Sequence, residues 1–379
     1  MSKRIIFSNI ILLFIVCICN IKIFAEPIKI DKNFKVTTSI YEGIRVIEDV
    51  KLTFKNTDDI IIGNMYNNTC SGIEILNGKK LTICLENSGN INIYGGCYQE
   101  MGNKYSCAGI YVPKDSTLVI EGDGKGVLTA QGYIRAAGIG GLGVAIYGCD
   151  TDCSYINAGS IYIKNGNIVA NSFCGQWDNF NEGTGAGIGG GGIYNTVDKK
   201  VLKGGSVKLV DIKNGNVTAM GGNNVNSNGT GAGIGGGGIC NVAKSVDYIK
   251  GGELEDIRIQ DGKIIALAGS NNNTKGMGAG IGGGGIYNTG ECKKIEEGRI
   301  INVEKKVQVK LSAIGGYNES VEIGSGSIFS NEVCIKGNET TINIGNTKSD
   351  IIETLNGSKR KIFWSIVMTV TGILIRISK

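Results

Sequence analysis

Beyond residue 27 the apolar residues alternate with polar ones at period two, in runs long enough for short strands and too short for helices. Ile73-Glu74-Ile75-Leu76, Leu81-Thr82-Ile83-Cys84-Leu85 and Ile91-Asn92-Ile93-Tyr94 are three such runs, with Asn77-Gly78 between the first two. Alternation interrupted by Asn-Gly predicts strands joined by tight turns. The pattern then becomes periodic: 183–196 (GTGAGIGGGGIYNT), 229–242 (GTGAGIGGGGICNV) and 276–289 (GMGAGIGGGGIYNT) begin 46 and then 47 residues apart. Each copy follows a second shared stretch: 161–170 (IYIKNGNIVA), 210–219 (VDIKNGNVTA) and 257–266 (IRIQDGKIIA).

A fixed period of this size, with no helical spacing inside it, predicts a solenoid in which each repeat supplies one structural unit. The unit reads as strand, Asn-Gly or Asp-Gly turn, strand, variable loop, GAGIGG strand and second variable loop. Three short strands per period describe one coil of a single-stranded parallel β-helix, so the expected fold is all-β, one coil per 46–49 residues with inserted loops. Ile163, Ile212 and Ile259 would stack on one inner face, Ile168, Val217 and Ile264 on the next, and Ile188, Ile234 and Ile281 on the third. Asn195, Asn241 and Asn288 share one repeat position, which predicts a ladder of side-chain amides bonded from coil to coil. A degenerate earlier copy ends at Gly141, and a worn later one runs from Ile301 to Gly326.

The flanks divide the chain further. Lys3 and Arg4, an apolar run from Ile5 to Cys19 broken by Ser8 and Asn9, and Ile23-Phe24-Ala25 before Glu26 make residues 1–25 an expected signal peptide and the product exported. Residues 26–71 read as an N-terminal cap with the first strands, and 72–358 as the β-helix. The tail, 359–379, holds 14 mostly apolar residues behind Lys359-Arg360-Lys361. A transmembrane helix needs about 20 residues, so this segment reads either as a cap on the solenoid end or as a weak membrane anchor.

Composition narrows the chemistry. The chain has 61 glycines among 379 residues, 2 prolines and no histidine. Without histidine there is no Ser-His-Asp triad and no His-containing zinc site. The formal charge is +5, but the two end segments hold eight basic residues and no acid, and 26–358 nets −3. A weakly acidic body with no basic stripe argues against nucleic acid as a partner. Ten cysteines follow the signal segment at irregular spacings. They fit either disulfides, with Cys149 and Cys153 the local candidate, or small buried apolar residues in a stacked core. Gly185, Gly187 and Gly190 spell G-x-G-x-x-G, yet the motif occurs three times with no helix after it, which is not a dinucleotide site.

The combination of GAGIGGG with I-x-I-x-N-G-x-V-x-A, and an entry segment reading CAGIYVP then STLVIEGDGKGVLTAQG, resembles the glycine-rich β-helix regions of secreted and surface proteins of Gram-positive anaerobic bacteria. The similarity spans 72–326, and some of those regions are labelled carbohydrate-binding domains. It implies a cell-surface protein, although the sortase signal that many of them carry is missing here.

Candidate binding residues are aromatic. Trp177 and Phe180 lie on one variable loop, and Tyr194 and Tyr287 share a repeat position with Cys240 between them. Rings aligned along a solenoid can stack sugar rings, or they can simply pack over corners of the coil. The β-helix also hosts polysaccharide lyases, which need clustered carboxylates for calcium and a basic residue. Asp211 and Asp256 read instead as solvated strand residues and Asp261 as a turn residue. The expected protein is therefore a non-enzymatic, carbohydrate-binding or adhesin-like surface protein with a polysaccharide or a host or cell-surface glycan as partner, and with no catalytic residue, metal or cofactor. The alternatives are a polysaccharide lyase or hydrolase, with calcium if lyase-like, and a purely structural spacer.

Overall fold

A computed structural model describes residues 26–340 except 56, 66–70, 87–88, 101, 124, 149–152, 173–182, 223–227, 270–274, 306–308 and 317–319. Trp177, Phe180, Cys149 and the segments 1–25 and 359–379 lie outside the described residues. Among those described, no helix is long and apolar enough to cross a membrane.

The repeat at 188–234 shows how the period is built. Its strands are Ile188–Gly189, Ile193–Asn195, Lys199–Lys203, Val207–Ile212 and Asn216–Met220, after which Ile234–Gly235 begins the next copy. Each pairs in parallel with its equivalent one repeat later, so five sheets run along the molecule. Among the described residues the first sheet has nine strands and includes Ile188–Gly189, the second has eight with Val207–Ile212, the third seven with Asn216–Met220, the fourth eight with Ile193–Asn195, and the fifth three with Lys199–Lys203. The result is an all-β, parallel, solenoid-like stack. Parallel pairing reaches back to Ile28–Ile30, which joins Ile44–Val46 and then Ile73–Ile75 in the first sheet.

The expected columns form in register. Ile163 pairs Ile212 and then Ile259, Ile168 pairs Val217 and then Ile264, and Ile188 pairs Ile234 and then Ile281. All nine residues are at most 3 % exposed. Burying each such side chain contributes roughly 1.5–3 kcal/mol, and the first three sheets close one apolar core around them.

The expectation of three strands per period needs correction. The stretch after GAGIGG, expected to be a loop, carries two more strands and a second core. Ile193, Ile239 and Ile286 from the fourth sheet meet Leu202 and Ile249 from the fifth, beside the main core. The Lys199–Lys203 strand contains three lysines and one inward residue, Leu202, so its alternation is too sparse to signal a strand locally. It is held by parallel pairing with Ser245–Lys250, residue Leu202 opposite Ile249.

The glycine run makes this side lobe possible. Where the chain leaves the main core at Gly190 it passes the returning chain at Gly205, and a Cβ on Gly190 would stand 2.0 Å from the Gly205 carbonyl oxygen. No side chain fits between them, and the Gly205 carbonyl accepts from the Gly237 N–H of the next repeat at 2.9 Å.

Antiparallel hairpins border the fourth sheet. Cys97–Glu100 with Asn103–Ser106 closes its N-terminal edge, and Ile328–Ser330 with Val333–Ile335 its C-terminal edge. A hairpin ends the parallel register that would otherwise template further strands.

Candidate ligand-binding face

The fourth sheet turns Ile193, Asn195 and their equivalents toward the side core, and Tyr194 and its equivalents to the opposite face. On that face the register is Ala145, Tyr194, Cys240, Tyr287 and Phe329, one residue per strand. The two tyrosines at the shared repeat position therefore stand two strands apart, about 9.6 Å.

Both tyrosines are half-buried in ring pairs. Tyr194 meets Tyr147 edge to face, centroids 5.9 Å apart at 61°, and Tyr287 stacks on Phe329 at 5.2 Å and 10°. Lys104 Nζ lies 5.9 Å from the Tyr147 ring centre, and Lys275 Nζ lies 4.7 Å from that of Phe329 and 5.9 Å from that of Tyr287. Desolvation raises the pKa of both Tyr194 and Tyr287, so the phenols stay neutral donors at ordinary pH. Cys240 between them is wholly buried, and burial pushes its thiol up to about 12 against the opposing pull of Arg135.

The described residues that follow two of the variable loops cross this column. A Cβ on Gly183 would stand 2.1 Å from Ile193 O and 2.9 Å from Cys240 N, and one on Gly229 would stand 1.8 Å from Ile239 O. The chain thus re-enters the stack across the outer face of the fourth sheet. Buried threonines clamp both stems. Thr184 Oγ1 donates to Gly222 O at 2.9 Å and accepts from Gly231 N–H at 3.0 Å, and Thr230 Oγ1 repeats this with Gly269 O at 2.8 Å and Gly278 N–H at 3.1 Å. The third copy has Met277 at this position, whose own N–H donates to Ser327 Oγ at 2.7 Å.

Of the four expected binding residues, the structure places Tyr194 and Tyr287 in one column, while Trp177 and Phe180 fall outside the described residues. It adds Tyr147, Phe329, Lys104 and Lys275. Phe329 had a legible signal, because GSGSIFS at 324–330 aligns with GGGGIYN at 189–195. The lysines had none: Lys104 sits on an antiparallel strand of the same sheet, opposite Ala145, and Lys275 directly precedes the third glycine-rich copy.

The carboxylates do not converge. Asp211 is opposite Arg258 and Asp256 is opposite Leu209, so the two acids are out of register. Asp256 is salt-bridged to Arg258 at 2.7 Å, and Asp261 Oδ1 accepts from Gly262 N–H in its turn. Asp211 is only 5 % exposed, against the expectation of a solvated side chain. Among the described residues no three His, Cys, Asp or Glu are grouped to hold a metal.

A second concavity lies on the other side of the lobe. Among the described residues the fifth sheet begins at Lys199–Lys203, and the repeat before it makes the short 3-10 turn Ser154–Ile156. Beside this turn lies a cleft of about 920 Å³ between the fifth and second sheets, lined among the described residues by six lysines and three carboxylates.

Compared with family models, curated proteins and solved structures, the chain matches none.

Proposed function

We propose that the chain is a non-enzymatic, exported cell-surface protein, built as one continuous parallel β-helix, that binds a polysaccharide or a cell-surface glycan in the manner of an adhesin. The observation that carries this reading is the aromatic column on the outer face of the fourth sheet. Tyr147, Tyr194, Tyr287 and Phe329 present ring surface along the stack axis, and Tyr194 and Tyr287 repeat at a spacing comparable to one disaccharide of an extended glycan. Rings with polar tips suit sugars, whose apolar faces stack while their hydroxyls need donors and acceptors. Trp177 and Phe180 shortly precede Gly183 in the sequence, and Gly183 packs against this column, which favours a shared site. The resemblance to glycine-rich surface regions points the same way.

The test is retention of the full chain on a neutral and acidic glycan array, with Trp177→Ala and the double variant Tyr194→Ala/Tyr287→Ala alongside. At least one neutral polysaccharide should be retained, with about tenfold weaker binding in each variant. Absence of retention on any glycan removes the binding reading and leaves the spacer. Release of unsaturated or reducing-end products from a retained polysaccharide, lost on chelating calcium, would favour a lyase instead.

A further inference from the structure

The cleft between the fifth and second sheets has a charge that the rest of the body does not share. Residues 26–358 net −3, yet the cleft lining carries six lysines against three carboxylates. Lys250 is held by Glu253 at 2.8 Å. Lys114, Lys200, Lys203 and Lys208 line the same cleft, are exposed, and enter no ion pair among the described residues. Lys203 and Lys250 are opposite one another in adjacent strands, about 4.8 Å apart. Like charges in direct cross-strand register cost stability, so the fold alone gives no reason to gather them.

We infer that this cleft is a second binding site, distinct from the aromatic column, for a linear acidic polysaccharide bearing carboxylate or sulfate groups. The lining draws on four successive levels of the stack, from Lys114 through Ser154 and Lys203 to Lys250, a run of about 14 Å along the axis. That extent fits a chain of repeated anions better than one small ion. Lysine ammonium groups are point charges on flexible stems, without the planar fork that makes arginine selective for one anion geometry. They suit a polymer whose acidic groups vary in angle and in kind. Among the described residues no aromatic one lines the cleft, so it offers no stacking surface of the kind that single-stranded nucleic acid uses and on which neutral sugars would rest.

The experiment measures affinity of the full chain for polygalacturonate, heparin, a neutral glucan and a single-stranded oligonucleotide at two salt concentrations. The acidic polysaccharides should bind, with at least tenfold loss between 50 mM and 500 mM salt as screening shortens the reach of the lysines. Lys200→Glu/Lys203→Glu/Lys208→Glu should weaken binding by at least tenfold while leaving the melting temperature within a few degrees, because all three side chains are exposed. Lys200→Gln/Lys203→Gln/Lys208→Gln should show an intermediate loss and serves if the reversed charges disturb folding. Tyr194→Ala/Tyr287→Ala should leave acidic-polymer affinity unchanged, which separates this site from the aromatic column. Failure to bind any acidic polysaccharide, unchanged affinity in both lysine variants, or equal affinity for the oligonucleotide overturns the proposal, whatever the neutral glycans do.

Discussion

Asp211 shows what one position carries. Its side chain points away from the main core as alternation predicts, but Tyr162 and Arg258 stand on either side of it in register and leave it 5 % exposed. Its nearest hydrogen-bond donor is Gln260 Nε2 at 3.5 Å, too long to be strong. Burial raises the carboxyl pKa, with Lys213 and Arg258 pulling it back. A raised folded-state pKa means that the native chain holds more protons than the unfolded chain between the ordinary and raised values. Stability therefore falls as pH climbs through that window. Asp211→Asn should raise the melting temperature at pH 7, and the gain should shrink toward zero below the ordinary aspartate range. Thermal melts of both proteins from pH 3 to pH 8 check this; a variant less stable at pH 7 would show that the charged form is favoured. The direction of the side chain was legible from period two. Its burial was not, because it depends on the residues two neighbouring repeats place beside it.

At the level of elements the asparagine ladder is the part read most completely from the repeat. Asn195 Nδ2 donates to Asn241 Oδ1 at 2.7 Å, Asn241 Nδ2 donates to Asn288 Oδ1 at 2.7 Å, and Asn288 Nδ2 reaches Ser330 Oγ at 3.1 Å. All three asparagines are wholly buried, so each lost bond exposes a partner with no water to replace it. Asn241→Leu keeps the branched outline, in a somewhat larger side chain, but strips a donor from Asn288 and an acceptor from Asn195. It should cost roughly 2–4 kcal/mol, read by urea unfolding. Less than about 1 kcal/mol would mean that the amides find other partners. Identical residues at one repeat position made this ladder visible, since stacking converts sequence identity into contact. The fifth sheet had no such cue. Val201, Tyr248 and Lys294 are opposite one another and chemically unlike, and only Leu202, Ile249 and Ile295 mark an inner row. The lysine cleft stayed hidden with it, because a cleft is the space beside a strand that the pattern did not reveal.

For the whole molecule, each repeat pairs its strands with those of its neighbours, so stability is close to a sum of repeats and interfaces. A lesion in the middle should then damage two interfaces and one at the end fewer. Gly235 has φ 139°, and a Cβ there would stand 1.9 Å from the Gly282 carbonyl oxygen in the next repeat. Gly324, with φ 146°, is the last member of the same column, and its Cβ would meet Asn338 O at 2.1 Å. Gly235→Ala should cost roughly 3 kcal/mol or more and Gly324→Ala distinctly less, by denaturant unfolding of the two variants. Equal losses would argue for a single cooperative core instead. The amino-acid order alone determined the parallel stack, its inner columns and the asparagine ladder, since a period brings like residues together wherever each copy pairs with the next. Tertiary structure alone decided the side lobe, the burial of Asp211, the half-buried pairing of the tyrosines and the charged cleft. These arise where segments from different parts of the coil pass one another, and no local pattern records that meeting.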